Sequence, residues 1–400
     1  MKRIETYRQL RDINQKIIVF GAGQLGQRMY HYLKYCKKDC FITDNNKDSY
    51  IGMEGAVSVN EIEMCIRNNK SIVIIICVTK EYVASSIFNQ IKDLGIPEDI
   101  IFWYSDGGFS DEYRNDLLER GLFSGTEIVP FLRDAEAEKM LAQKILEGGG
   151  FLCSRWGGIE GIALFCKTIG MDVPNTFALQ NNAGVYPSDN SKVVNEYLSI
   201  SAHAAGMIDY FYLAMQRSGV EELYEWYSPK AIPVHFSFGP KLEERTIWWS
   251  ALVNKKVLVV HPFAELIEAQ YRVKDKLFKK EVMPDFELIT VRAVQSLGGS
   301  SDFATWIDAF EYMKNKIATI DFDVALLGCG AYGMPLGAFI KEKLQKPAIH
   351  IGGQLQLFFG IKGKRWDEKY GDQLYNEYWV RPTDDLKPAN YKQVEDGCYW

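Results

Sequence analysis

Short, nearly unbroken apolar runs separated by helical patterns set the layout of this chain. The first is Lys16–Phe20 (KIIVF), followed by Cys40–Thr43 (CFIT), 71–78 (SIVIIICV) and 100–103. Runs of this length, rich in Ile and Val and without alternation, mark strands buried on both faces of a parallel sheet. Residues 27–37 and 82–94 between them carry apolar positions at helical spacing. Strands alternating with helices predict a small Rossmann-type unit. The pattern resumes beyond residue 150, with strand-type runs at 151–154, 255–260 (KKVLVV), 286–291, 323–327 and 348–351. Helical spacing covers 127–148, 161–167, 195–216, 221–226, 241–252, 301–317 and 336–344, and 115–126 reads as a polar helix and turn. The expected architecture is α/β: two Rossmann-like units, the second larger, with a helical aromatic insertion. Expected boundaries are 1–110 for a nucleotide-binding-type domain, 111–150 for a helical linker ending in Gly148-Gly149-Gly150, 151–385 for the larger domain, and 386–400 for a tail.

Length supports this division, because 400 residues exceed what one core usually serves. A net charge of −6 gives no electrostatic reason to expect nucleic acid. No apolar run is long enough to span a bilayer, and the polar start MKRIETYRQLRDINQK lacks the apolar stretch of a signal peptide. The eight cysteines are scattered and form no CxxC pair, which predicts buried thiols. A cytoplasmic protein is therefore expected, with peripheral membrane association the nearest it comes to a bilayer.

The first unit carries GAGQLG directly after its first buried strand, with glycines at Gly21, Gly23 and Gly26 and a helix to follow. The next strand ends at Asp44. A GxGxxG in this setting suits a nucleotide, with the acid on a ribose. Asp44-Asn45-Asn46 equally suits a plain polar turn. No Tyr-x-x-x-Lys pair accompanies the fingerprint, so NAD(P) ranks below a nucleotide sugar or a degenerate site. The segment resembles the small Rossmann-like domains of polysaccharide-biosynthesis proteins.

In the larger unit, residues 322–366 read as strand, glycine turn, helix, strand, glycine turn and basic loop. Gly328, Gly330 and Gly333 follow one strand, with Tyr332 inside the turn, and Gly352 and Gly353 follow the other. Lys362, Lys364 and Arg365 come next. Bare amides at such edges beside cations suggest a phosphorylated ligand; tight turns alone are the plainer reading. A third edge, FLCSRWGGIE, holds Arg155, Gly157, Gly158 and Glu160 beside a helix start. The arginine suits a diphosphate and the carboxylate a metal or sugar hydroxyls, or the two form an internal ion pair. His261 closes the KKVLVV strand and Glu265 lies four residues on, which makes either a candidate base or phosphate contact. His350 faces the sheet packing by alternation and ranks below His261, while Arg292 and Gln295 sit at a further strand end. The aromatics of the insertion, among them Tyr197, Tyr212, Trp248 and Trp249, either fill a core or face sugar rings.

The R-x-G-x-x-E segment resembles the R-x-G-D-G-E signature of the GT-D-type glycosyltransferases, in which the acidic pair supports metal and nucleotide-sugar binding. Arg155, Gly157 and Glu160 match, and Gly158 stands where the family carries its first acid. The likeness extends over about 135–366. It implies transfer of a sugar from a nucleotide-diphosphate donor to a glycan or glycoprotein acceptor, in surface-polysaccharide assembly, with Mn²⁺ or Mg²⁺ resting on Glu160 alone. An NAD(P)-dependent nucleotide-sugar oxidoreductase or epimerase, and a non-catalytic nucleotide-sugar-binding subunit, are the alternatives.

Overall fold

A computed structural model describes residues 1–68, 71–215, 217–240, 247–278, 282–299 and 301–400. The chain is α/β and forms two compact units, each built on a parallel sheet. The smaller unit takes in Met1–Leu117 together with Gly161–Pro174 and Gln216–Leu223. Its strands are β1 (Lys2–Ile4), β2 (Lys16–Phe20), β3 (Cys40–Thr43), β4 (Ile72–Cys77) and β5 (Ile101–Tyr104), in the order β1-β5-β4-β2-β3. Every residue of β4 is buried, as an apolar run without alternation requires. The N-terminal β1 was invisible to the sequence pattern, because three residues carry no periodicity.

The larger unit takes in Leu118–Glu160, Asn175–Met215 and Tyr224–Trp400 and includes a small antiparallel hairpin, β6 (Leu122–Ser124) and β7 (Glu127–Val129). Its strands are β8 (Leu132–Arg133), β9 (Leu152–Ser154), β10 (Tyr210–Tyr212), β11 (Ile232–His235), β12 (Lys256–His261), β13 (Glu287–Arg292), β14 (Val324–Leu327) and β15 (Ala348–His350). They form one sheet in the order β13-β12-β14-β15-β9-β10-β11-β8, all neighbours parallel.

Several expectations need correcting. The helix expected over 127–148 begins only at Asp134 and ends at Glu147, since β7 and β8 take its first residues. The helical spacing over 195–216 stops early: the helix is Ser191–Gly206, and the aromatic YFY that follows is the buried strand β10. The supposed helical insertion thus supplies two strands of the sheet. Of the segment 241–252, residues 241–246 lie outside those described, and Ile247–Leu252 is a 3₁₀ helix. Its Trp248 and Trp249 are fully buried, so the core reading of these aromatics holds. The tail at 386–400 is not loose either, because Val394 and Trp400 belong to the larger unit's main core. The eight cysteines are all free thiols.

Candidate functional site

Four central strands of the larger sheet, β12, β14, β15 and β9, lie side by side and parallel. Their carboxyl ends therefore deliver His261, Gly328, Gly352 and Arg155 to one edge, where ligand sites of open α/β sheets form. The glycines there are spaces shaped around side chains. A Cβ on Gly352 would stand 2.6 Å from Nη2 of Arg155, and Gly352 also holds a positive φ of 76°. A Cβ on Gly328 would stand 2.6 Å from Cδ2 of His261 and 3.1 Å from the Gly352 carbonyl oxygen. Arg155 and His261 thus flank the two adjoining glycine turns. On Gly157 a Cβ would fall on the Glu160 carboxylate, and on Gly333 it would enter the His350 ring.

Arg155 is half-buried, and its Nε is enclosed without a hydrogen-bond partner among the described residues. An enclosed guanidinium nitrogen is normally met by a carboxylate or carbonyl oxygen, so this N–H is left to be satisfied. Glu160 opens the helix Gly158–Thr168, and burial raises its carboxyl above the ordinary range. The amide groups of Glu160 and Ile159 and the charge of Arg155 oppose that rise. Its carboxylate is folded back on the first turn of its own helix, and Gly157 leaves the room for it.

His261 is buried, and its Nδ1 accepts the Phe263 amide hydrogen at 3.0 Å. Since that amide can only donate, the ring carries its proton on Nε2. Burial lowers its pKa to about 3, which keeps the ring neutral. His261 therefore carries an N–H on Nε2 as a neutral ring. His350 is equally buried, with Nδ1 3.0 Å from Ser154 Oγ, and desolvation followed by the charge of Arg155 lowers it to about 3. Glu265 is exposed and pairs with Arg292 at 3.7 Å, at the margin of the sheet beside β13. That pairing places it as a surface ion pair and not as a buried base.

The basic cluster has other work. Lys362 lies over the Tyr375 ring (5.3 Å), and Lys364 Nζ donates to the Asp396 carbonyl (3.2 Å). Arg365 pairs with Glu395 and lies 4.8 Å from the Tyr399 ring centroid. Two of the three cations thus fasten residues 395–399, whose charges the local sequence of the loop cannot show. Tyr332 is likewise structural: its ring stacks on Trp306 at 4.9 Å, and its hydroxyl lies 3.1 Å from Ser296 Oγ. Gly330 has a positive φ of 58° and Gly353 lies under Tyr399 and Trp366. Sequence reasoning missed Tyr399. Its half-buried hydroxyl is raised by burial, while Arg365 and Arg155 act to lower it. An isolated aromatic near residue 400 gives no signal of such a position.

Mn²⁺ or Mg²⁺ does not suit these residues. Such hard cations want an octahedron of oxygens, and Glu160 offers a single carboxylate already hydrogen-bonded to two amides and facing Arg155. Among the described residues no three His, Cys, Asp or Glu side chains gather at any point.

The glycine fingerprint of the smaller unit is also built as its spacing implies. Gly21 has a φ of 112°, and a Cβ there would stand 2.7 Å from the Cys77 carbonyl oxygen, while a Cβ on Gly26 would enter the Gly21 carbonyl. Gly23 faces open space at the start of the helix Gln24–Tyr35. Asp44 accepts from Ala22 N–H (2.6 Å) through one carboxylate oxygen and from Asn46 N–H (2.8 Å) through the other. The polar-turn reading of Asp44 thus has direct contacts behind it.

No protein-family model matches the sequence, and no curated protein does. Among solved structures the chain is similar to RSP, a Rex-family repressor, at 23% identity over 24% of this chain and 54% of that one, with a TM-score of 0.19. RSP in complex with beta-NADH matches at the same identity and TM-score, over 24% of this chain and 58% of that one. The match spans little more than half the length of each and says nothing about ligands of this chain.

Proposed function

We propose that the larger unit is a glycosyltransferase using a nucleotide-diphosphate sugar. The observation that carries this reading is Arg155, a half-buried guanidinium whose Nε has no hydrogen-bond partner among the described residues, flanking the glycine turns that His261 also borders. A diphosphate supplies the missing acceptors for the fork, and His261 Nε2–H adds one neutral donor. Glu160, with its carboxyl raised by burial, is the group of the site poised to exchange a proton. In the proposed reaction the acceptor hydroxyl oxygen bonds to the anomeric carbon as the bond from that carbon to the diphosphate oxygen breaks. The hydroxyl proton passes to Glu160, and the leaving electron pair stays on the diphosphate beside Arg155. The acceptor is a glycan or glycoprotein, as in surface-polysaccharide assembly.

The test compares Glu160→Gln with the parent chain on a panel of nucleotide sugars. The variant should keep donor affinity within a few-fold and lose transfer and donor hydrolysis by about 10²–10⁴, the usual share of acid–base catalysis. Full activity in Glu160→Gln would remove Glu160 from the mechanism.

A further inference from the structure

We infer that the positive charge opposite the donor diphosphate is Arg155 itself, and that the site works without a divalent cation. This rests on the transferase reading above. The related GT-D signature pairs an acid with the glutamate to support a metal, and here Gly158 takes the first acid's place. Packing did not force that change. Gly158 has no left-handed backbone, and a Cβ built on it meets nothing within 4 Å. An aspartate would fit, so its absence is a chemical difference and not a steric one.

The remaining residues are arranged for an anion and against a cation. The Glu160 carboxylate is turned onto the amides of Ile159 and Glu160, and Arg155 faces it. A metal bound there would stand next to the Arg155 guanidinium and would have one protein oxygen donor group in place of several. Arg155 packs against the glycine at 352, with Nε enclosed and without a hydrogen-bond partner among the described residues. A guanidinium with an unsatisfied N–H on its fork matches two phosphate oxygens bidentately and has no need of a metal to do so.

The experiment is equilibrium binding of UDP, GDP, CDP and TDP and of their sugars, each with EDTA and with Mn²⁺, to the full chain. The variants are Arg155→Ala, Arg155→Lys and Gly158→Asp. The expected result is one nucleotide bound with the same affinity in EDTA and Mn²⁺. Arg155→Ala should weaken it at least a hundredfold and Arg155→Lys about tenfold, since an ammonium keeps the charge and loses the fork. Both variants should melt within a few degrees of the parent, which separates lost binding from lost fold. Gly158→Asp should weaken binding in EDTA and make it respond to Mn²⁺. Binding that requires Mn²⁺ in the parent overturns the inference and leaves the transferase reading standing. So does unchanged affinity in a folded Arg155→Ala. No binding of any nucleotide in either condition overturns both.

Discussion

At the scale of single residues, glycines of the larger unit record the outlines of the side chains that matter. Gly157, Gly328, Gly333 and Gly352 each leave the volume that Glu160, His261, His350 and Arg155 occupy. The same contact geometry separates function from stability. On Gly157 the added Cβ meets only the far end of a flexible carboxylate, which can swing aside. Gly157→Ala should therefore cost less than about 1 kcal/mol of stability while displacing Glu160 and reducing transfer at least tenfold. On Gly328 the Cβ meets a fixed ring and a backbone oxygen, so Gly328→Ala should destabilise by about 1–3 kcal/mol. Urea unfolding of the two variants, read beside their activity, checks this; equal losses of stability would refute the reading of Gly157. The two buried histidines give a pH dependence whose sign is fixed. Both sit near 3 in the folded chain, below the unfolded value of about 6.5. The unfolded chain therefore takes up protons first as pH falls. The stability each contributes is complete above about 6.5 and is lost progressively toward 3. For one such group the loss between pH 7 and pH 5 is about 2 kcal/mol. His350→Asn should show a shallower fall over that interval by about this amount, by urea unfolding at the two pH values. Parallel curves for parent and variant would mean that His350 is protonated in the fold.

At the scale of elements, legibility followed length and burial. β2, β4, β12 and β14 are readable because each carries four to six consecutive buried, mostly apolar residues inside a sheet. β1, β8 and β10 are two or three residues long and leave no period to detect, whereas β9 and β15, equally short, are marked by the glycine turns that follow them. β10 is decided by its neighbours: the Asp209 carboxylate just before it accepts the Leu152 amide hydrogen at the start of β9 (2.8 Å) and pairs with Lys341 Nζ (2.7 Å). One side chain thereby fixes β9 against β10 and anchors the π-helical turn Ile340–Leu344. Arg155 leaves β9 three residues after that anchor at Leu152, so the register of a short strand sets the reach of the site. The motif R-x-G-x-x-E was legible because all its parts lie within one turn. The partners of Lys364 and Arg365 were not, because Glu395 and Asp396 lie some thirty residues further along the chain.

At the scale of the whole molecule, the residues after Leu386 link core to site within the larger unit. Trp400 is buried; its indole N–H donates to the Leu386 carbonyl at 3.2 Å, and its ring meets Tyr391 and Tyr399 at centroid distances of 5.8 and 5.9 Å. Its backbone carbonyl accepts from the Lys364 amide (3.4 Å), and the Tyr399 carbonyl accepts from Gln356 Nε2 (3.2 Å). Tyr399 in turn covers Gly353 next to the turn that seats Arg155. Sequence composition marks this stretch as polar and aromatic, and nothing in its own pattern reveals what it packs on. Truncating a buried indole removes both transferred area and packing contacts, so Trp400→Ala should cost about 3–5 kcal/mol in urea unfolding. The same change frees Tyr399 to move off Gly353 and should weaken nucleotide binding about tenfold even where the variant remains folded. Tyr399→Phe isolates the second effect, because it keeps the ring over Gly353 and removes only the hydroxyl that lies 3.3 Å from Arg365 Nη1. If Trp400→Ala loses stability and keeps full affinity, the segment is a structural clamp alone. If both fall together while Tyr399→Phe binds normally, the ring of Tyr399, and not its hydroxyl, shapes the edge on which Arg155 stands.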